Sequence, residues 1–272
     1  MPYKEERLYE SLDGQNGSTR QLSYRTAGGL AMKNTAFDSA SVKTKVYDSP
    51  VNDPLVSWVC ESGFRRHGGR DLEDPVVVDI GCGAGSNLQA LSPCGIRGVG
   101  VTLSHKEAAI CRSREIPVIV SDASRGLPFR NSSVKIVIAS HVLEHLADPW
   151  ATMSEIRRIL SVDGSVFAAI PNVVFVRVRL AFLRGRFRYE DSGILDRTHL
   201  RFFDLYSARA LFKDAGFEIV GERHQGWVPA GPLRRIAPRI LRRADAFLTR
   251  RFPNTFAHQF LFEVRHPLAT SS

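Results

Sequence analysis

The sequence predicts an α/β protein with a doubly wound, mostly parallel sheet of seven strands. Short β-branched segments alternate with helix-forming segments between residues 76 and 170, which is typical of a parallel sheet covered by helices. The first strand, 76–79, runs directly into a glycine-rich turn at 81–85, as at the carboxyl end of a buried parallel strand. A last apolar strand at 256–264 completes the series.

The other elements are predicted from their local patterns. Further strands are expected at 99–102, 117–121, 136–140, 166–170 and 217–220. Helices are expected at 52–61, from about residue 106, from residue 149 and at 207–215. Asp148 suits the N-cap and Pro149 the first position of the third helix. Gly216 is expected to end the fourth.

Asp79 and the glycine-rich turn form the first candidate ligand site. Gly81, Gly83 and Gly85 let the backbone turn sharply and approach a ligand without an intervening Cβ. Their spacing is not the G-x-G-x-x-G of dinucleotide-binding proteins, and a P-loop would need a Gly-Lys-Ser/Thr ending. A carboxylate at Asp79 repels a pyrophosphate but attracts an ammonium group. The turn therefore indicates a cationic ligand without phosphate.

With this turn and its strand, the sequence resembles the class I S-adenosylmethionine (SAM)-dependent methyltransferases, whose first motif is D-x-G-x-G-x-G. The resemblance implies a Rossmann-like methyltransferase fold with an antiparallel last strand. It implies SAM as the cofactor, S-adenosylhomocysteine as the product, and no metal ion. Asp79 and the backbone of the turn, including Gly81, Cys82, Gly83 and Gly85, would then hold the methionine end of the cofactor.

The resemblance also assigns the other parts of the cofactor. The superfamily usually has an acid at the end of the second strand, where this chain has Thr102. The Thr-Leu-Ser sequence there resembles the cyclopropane-synthase branch, and we expect Glu107 to assist Thr102 at the ribose; the alternative for Glu107 is a solvated helix residue. Asp122 would accept the adenine amino group, or else cap a helix, with Ala123 against the ring. His141 would border the cofactor.

Histidines near the predicted sheet edge are candidate bases. His141 and His145 belong to the sequence Ser-His-Val-Leu-Glu-His after the fourth strand. H-x-x-E-H is also an inverted zincin motif, but that motif needs a long helix, and Pro149 interrupts within four residues. A hydroxyl needs a base to remove its proton, and histidine suits this role at neutral pH. His145 and His199 are the expected bases.

Residues 191–203 resemble a signature of bacterial methyltransferases found with polysaccharide and O-antigen biosynthesis. One interpretation makes Asp196 the residue that orients the base His199. The alternative is that Asp196, Arg197 and His199 lock an insertion onto the sheet. The Asn/Asp-Pro-Pro-Tyr/Phe sequence of nucleobase methyltransferases is not present after the fourth strand, which argues against a nucleobase acceptor.

The polar composition and the glycines near the start of the chain set an N-terminal segment, 1–50, expected to be a flexible cap, apart from a methyltransferase domain, 51–272. Substrate-side insertions are expected at 172–204 and 225–253. Both insertions are rich in arginine, in a chain with a net charge of +9. In the second, an apolar stripe is expected either to pack on the domain or to dock on anionic lipid headgroups. The stripe consists of Leu233, Ile236, Ile240, Ala244, Phe247 and Leu248.

The resemblance implies a methyltransferase that acts on a hydroxyl of a glycan, glycolipid or glycosylated metabolite. A small-molecule or RNA methyltransferase is the first alternative, and a non-catalytic SAM-binding subunit is an alternative of another class. Peripheral contact with an anionic membrane surface is expected, but no nucleic-acid partner. The start of the chain is unlike a signal peptide, so a cytoplasmic protein is expected, with its four cysteines as reduced thiols.

Overall fold

The structure is a computed structural model, and it describes residue 46 and residues 50–67 and 77–267. The expected N-terminal cap falls almost wholly outside the described residues. Within them, seven strands form one sheet. The strands are β1 (Val77–Ile80), β2 (Gly98–Thr102), β3 (Val118–Val120), β4 (Val134–Ser140), β5 (Leu160–Pro171), β6 (Glu218–Gly226) and β7 (Ala257–Arg265).

Helices connect the strands as the sequence predicts. They are α1 (Asp53–His67), α2 (Ser86–Leu91), α3 (His105–Ser113), α4 (Pro149–Ile159), α5 (Val176–Leu183), α6 (Leu205–Asp214), α7 (Leu233–Ile236), α8 (Pro238–Arg251) and α9 (Pro253–Phe256). Asp148 caps α4 by accepting a hydrogen bond from the Ala151 N–H at 3.0 Å. Helix α6 begins two residues earlier than predicted because Asp204 and Ser207 form a capping box.

The strand order is β3-β2-β1-β4-β5-β7-β6, and β7 is antiparallel to both of its neighbours. The predicted fold class and the antiparallel last strand are confirmed. From β1 the sheet extends through β2 on one side and through β4 on the other. Such a reversal of strand order opens a crevice at the carboxyl ends of the strands, and ligands bind there in open α/β sheets.

Apolar side chains cover both faces of the sheet. On one face, α4 and α6 contribute Met153, Ile156 and Phe212, which are fully buried. On the other face, α1 and α2 contribute Leu55 and Leu91 to a second cluster. Because the central strands are buried on both sides, β1 is a continuous apolar run interrupted only by Asp79.

The two insertions leave the sheet at the same edge and contact each other. The Phe175 ring, in the first insertion, meets the Trp227 ring of the second with centroids 5.3 Å apart. Val178 and Leu195 complete this small apolar cluster. The Asn172 side chain fastens the base of the first insertion by donating to the Ala257 carbonyl at 2.7 Å.

The expectation of four reduced thiols is wrong. Cys60 and Cys94 form a disulfide with a Cα–Cα distance of 6.1 Å, while Cys82 and Cys111 are free and buried. The spacing of the cysteines could not reveal this pair, because it depends on how α1 packs beside α2. The apolar stripe of the second insertion is only partly packed, because its helix is interrupted at Ala237, between α7 and α8.

Candidate active site

Asp79 lies at the carboxyl end of β1 and is 1% exposed. Neither carboxylate oxygen has a hydrogen-bond partner in the described part of the chain. Burial raises the pKa of Asp79 to about 8, although the nearby Asn87 side chain opposes this shift. A buried carboxylate without a partner is costly, so the site suits a ligand that brings a positive group. The ammonium of SAM fits this requirement.

The glycine-rich turn has the backbone that its glycines predict. Gly81, Gly83 and Gly85 have φ values of 71°, 53° and 82°, in the region that favours glycine. A Cβ on Gly81 would lie 2.6 Å from a methyl of Val142. The N–H groups of Gly81 and Cys82 both donate to the Val101 carbonyl, at 2.8 and 3.1 Å. These bonds fix the turn against β2.

The structure places the Cys82 side chain in the core, which is compatible with the predicted cofactor contact through the backbone of the turn. Cys82 is buried with Leu88 beneath the turn. A Cβ on Gly100 would lie 2.5 Å from the Cys82 sulfur, so the thiol fills the space that this glycine leaves. Any contact of Cys82 with the cofactor is therefore left to its backbone.

Thr102 and Glu107, the two residues predicted for the ribose, lie together. The Thr102 hydroxyl donates to Glu107 Oε2 at 2.5 Å, and both residues are buried. Ser104 is the N-cap of α3, and its hydroxyl accepts from the Glu107 N–H at 3.4 Å. This cap holds the first turn of α3 next to the end of β2. Glu107 is therefore not a solvated helix residue, and it supplies an acid where the second strand lacks one.

Asp122 borders a cleft of about 380 Å³ at the carboxyl ends of β2 and β3, which Leu103 and Lys106 also line. The carboxylate accepts hydrogen bonds from the backbone N–H and hydroxyl of Ser124, at 3.0 and 2.6 Å. It therefore caps a turn, not a helix. Ala123 packs partly against the core. The adenine contacts of both residues stay predictions.

A chain of amides joins the glycine-rich turn to the histidines. The Asn52 N–H donates to Asn87 Oδ1 at 3.0 Å, and the Asn52 side chain donates to Gln259 Oε1 at 3.1 Å. Gln259 Oε1 in turn accepts from His141 Nε2 at 2.7 Å. Asn52 and Gln259 are not among the residues that the sequence predicts for the site. Neither belongs to a motif, and strand pairing alone brings Gln259 to this edge.

His141 has a left-handed backbone, with φ of 53°. Its Nδ1 lies 3.3 Å from Glu144 Oε1. Burial lowers the pKa of His141, but Glu144 and Gln259 outweigh that effect and the pKa is raised. His141 is thus held between Glu144 and Gln259, and its contact with the cofactor stays a prediction.

Glu144 lies at the centre of the histidines and is not among the residues that the sequence predicts for the site. It is 0% exposed, and its Oε2 has no hydrogen-bond partner within the described ranges. Burial alone would raise the pKa of Glu144, but His141, His145 and His199 outweigh it and the pKa is lowered. Its position in H-x-x-E-H was the signal that could have identified it.

The segment 194–201 brings the predicted catalytic residues to Glu144. The Glu144 carbonyl accepts from the N–H groups of Leu200 and Arg201, at 2.8 and 3.0 Å. His199 is buried, and its Nε2 lies 3.9 Å from Glu144 Oε1. The His145 and His199 rings meet edge to face with centroids 4.7 Å apart.

The expected pairing of Asp196 with His199 is replaced by two separate contacts. Asp196 Oδ1 accepts from the Thr198 hydroxyl at 2.7 Å, and Thr198 lies 3.1 Å from His145 Nδ1. The Ile194 carbonyl orients His199, at 3.0 Å from Nδ1. Asp196 therefore orients His145 through Thr198, because the turn directs its carboxylate to the residue two positions on. Burial lowers the pKa of His199, which leaves this ring neutral at pH 7.

Comparisons with known proteins identify the family of this chain. The sequence profile described as "Methyltransferase domain" matches residues 59–222. A probable S-adenosylmethionine-dependent methyltransferase of Mycolicibacterium smegmatis is 29% identical over 168 residues, which are 57% of this chain and 59% of that protein. The chain spans about half to three fifths of the length of the first curated relatives it matches.

Solved structures share the fold. Magnesium protoporphyrin IX methyltransferase from Synechocystis, solved with bound S-adenosylhomocysteine, has a TM-score of 0.53 at 16% identity and covers 79% of this chain and 81% of its own. The [4+2]-cyclase SpnF has a TM-score of 0.50 at 20% identity and covers 80% of this chain and 82% of its own. Because the profile covers more than half of the sequence, the chain belongs to the methyltransferase domain family, and its cofactor is S-adenosylmethionine.

Proposed function

We propose that this protein transfers a methyl group from SAM to a hydroxyl of a glycan, glycolipid or glycosylated metabolite. The observation that carries the proposal is the position of the histidine cluster directly against the cofactor turn. Val142, between His141 and Leu143, fills the space beside Gly81. A hydroxyl seated at His145 and His199 would therefore lie next to the methyl donor.

Different residues bind the cofactor and remove the proton of the acceptor. SAM supplies an activated methyl group on its sulfonium. Asp79 and the glycine-rich turn hold the methionine end, and Glu107 with Thr102 holds the ribose. His199, neutral because its pKa is lowered, can accept the proton of the acceptor hydroxyl, and His145 is the second candidate. Alignment of the two reactants supplies most of the acceleration.

Single substitutions test these roles. His199→Ala and His145→Ala should bind S-adenosylhomocysteine as the wild type does but lose at least 100-fold in methyl transfer, the usual contribution of a general base. His266→Ala is the matched control, because His266 follows β7 at the opposite edge of the sheet. Radiolabelled SAM would be offered with glycolipid, polysaccharide, phenol and RNA acceptors.

The outcomes separate the alternatives. Normal turnover by both histidine variants would overturn the assignment of the base. Labelling of RNA or of a phenol alone would overturn the sugar acceptor. Cofactor binding without turnover on any acceptor would favour a non-catalytic SAM-binding subunit.

An anionic membrane surface is the proposed partner of the second insertion, and it suits a glycolipid acceptor. Ile236, Ile240 and Phe247 are 78%, 71% and 66% exposed. Six exposed arginines accompany them: Arg235, Arg239, Arg242, Arg243, Arg250 and Arg251. Apolar side chains between arginines fit the headgroup region of an anionic bilayer. None of the helices in the described ranges is both long and apolar enough to span one.

Vesicle flotation tests this partner. The wild type should float with phosphatidylglycerol vesicles and not with pure phosphatidylcholine. Replacing Ile240 and Phe247 together by Ser should reduce flotation several-fold, because the apolar side chains supply the inserted area. Val162→Ser is the matched control, since Val162 is an exposed apolar residue outside the insertions. Equal flotation with neutral vesicles, or none with either, would exclude this partner.

A further inference from the structure

Gln259, on β7, forms a network of side-chain amides beside His141. The Asn52 side chain donates to Gln259 Oε1 at 3.1 Å, and Gln259 Nε2 donates back to Asn52 Oδ1 at 3.4 Å. Gln259 Nε2 also donates to Oε1 of Gln225, on β6. Reversing the Gln259 amide alone would place like atoms against each other. In this arrangement Gln259 Oε1 faces His141, at 2.7 Å from Nε2.

His141 therefore has an acceptor at each of its ring nitrogens. The Gln259 amide oxygen can only accept, so Nε2 carries a hydrogen. Nδ1 lies 3.3 Å from Glu144 Oε1, and an ionised carboxylate also only accepts. A ring that donates from both nitrogens is an imidazolium. The left-handed backbone of His141 is a strained conformation that persists where contacts hold it, and Glu144 with Gln259 supplies such contacts.

The buried charge of Glu144 depends on this imidazolium. Glu144 is 0% exposed, and its Oε2 has no hydrogen-bond partner in the described part of the chain. Burial favours the protonated form of a carboxyl and would raise the pKa of Glu144. The hydrogen bond and the charge of His141 oppose this effect, and His145 and His199 add smaller contributions that leave the pKa lowered.

Glu144 places its charge next to the candidate base His199. Its Oε1 lies 3.9 Å from His199 Nε2, too far for a hydrogen bond but close enough for the charge to act on the ring. Nδ1 of His199 donates to the Ile194 carbonyl, so Nε2 is the nitrogen that can accept a proton. When Nε2 takes the proton of the acceptor, an ionised Glu144 would stabilise the imidazolium that forms.

We propose that Gln259 is a positioning residue for methyl transfer: it holds His141 with a hydrogen on both ring nitrogens and so keeps the Glu144 carboxylate ionised next to His199. The part in proton removal rests on the proposed function, whereas the arrangement of charges does not. Among the other titratable groups, His258 acts on His141, but burial lowers the pKa of His258 to about 4 and leaves it neutral at pH 7. His145 and Asp196 act on His199 in opposite directions.

An NMR titration of the full chain tests the proposal without any acceptor. Labelled histidine gives ring signals for the eight histidines, and His141→Asn and His199→Ala identify two of them by loss of signal. Gln259→Met is similar in length but offers no oxygen, so the pKa of His141 should fall. The pKa of His199 should fall with it, because Glu144 then loses its charge. Gln259→Glu keeps an acceptor and adds negative charge, so the pKa of His141 should rise.

A structural role alone would not produce shifts of opposite sign. Gln89→Met is the matched control, because Gln89 is an exposed glutamine on α2, and it should leave both titrations unchanged. S-adenosylhomocysteine binding shows that each variant is folded, and Gln259→Glu carries the test if Gln259→Met fails to fold. An unchanged pKa of His141 in either folded Gln259 variant, or shifts of the same sign in both, overturns the proposal. If the shifts occur but His199→Ala methylates as the wild type does, the proposed base falls and the arrangement of charges stands.

Discussion

Binding of the product S-adenosylhomocysteine should become tighter as the pH rises from 6 to 8. The pKa of Asp79 is raised to about 8 by burial, so about 1% of free molecules carry the carboxylate at pH 6 and about half at pH 8. If the ammonium of the ligand binds only the carboxylate, the apparent Kd should fall about 50-fold over this range. Asp79→Asn, which carries no charge at either pH, should bind weakly with a flat profile.

Isothermal titration calorimetry in two buffers of different ionisation enthalpy measures both the affinity and the protons released. The wild type should release close to one proton on binding at pH 7, and Asp79→Asn none. His141 also has a raised pKa, but it is retained in Asp79→Asn, so that variant isolates the contribution of Asp79. A flat wild-type profile, or proton release that persists in Asp79→Asn, would refute the assignment of Asp79 to the ammonium.

Three further outcomes follow from the structure. Glu107→Gln should weaken S-adenosylhomocysteine about ten-fold in the same titration, because an amide replaces the acid beside Thr102; unchanged affinity would remove Glu107 from the ribose site. Asp79→Asn should be more stable than the wild type to urea above pH 8. The pKa of Asp79 rises from 3.8 to about 8 on folding, so its protonated carboxyl stabilises the folded state fully below pH 3.8 and loses that contribution as the pH rises through 8. Equal stability of the two proteins at high pH would contradict the shift. Cys60→Ser should lower the unfolding free energy by about 3–4 kcal/mol, as expected for opening a loop of 34 residues. Equal stability of the oxidised and the reduced wild type would contradict this prediction.

The sheet and the cofactor turn could be predicted because each depends on short local patterns. Asp79 and its glycines, the Asp148 cap and the proximity of Thr102 to Glu107 all involve residues within a few positions of each other. When residues are this close in sequence, the conformation of a single strand, turn or helix start determines their relative positions.

The acceptor side could be predicted only in part, because long-range packing forms it. Glu144 lies inside a motif, yet its role at the centre of the cluster depends on residues 194–201 folding back onto it. Gln259 reaches His141 only through the antiparallel pairing of β7. The Cys60–Cys94 disulfide likewise depends on helix packing that no spacing reveals.

The contact of Phe175 with Trp227 has a consequence for protein engineering. The two insertions are far apart in sequence, but their apolar side chains share one small core. Grafting one insertion from a relative would therefore leave a mismatched core, whereas grafting both at once would preserve it. Chimaeras that exchange 172–204 together with 227–256, the residues between β6 and β7, should fold and carry the specificity of the donor sequence, while the sheet and the cofactor turn stay as they are.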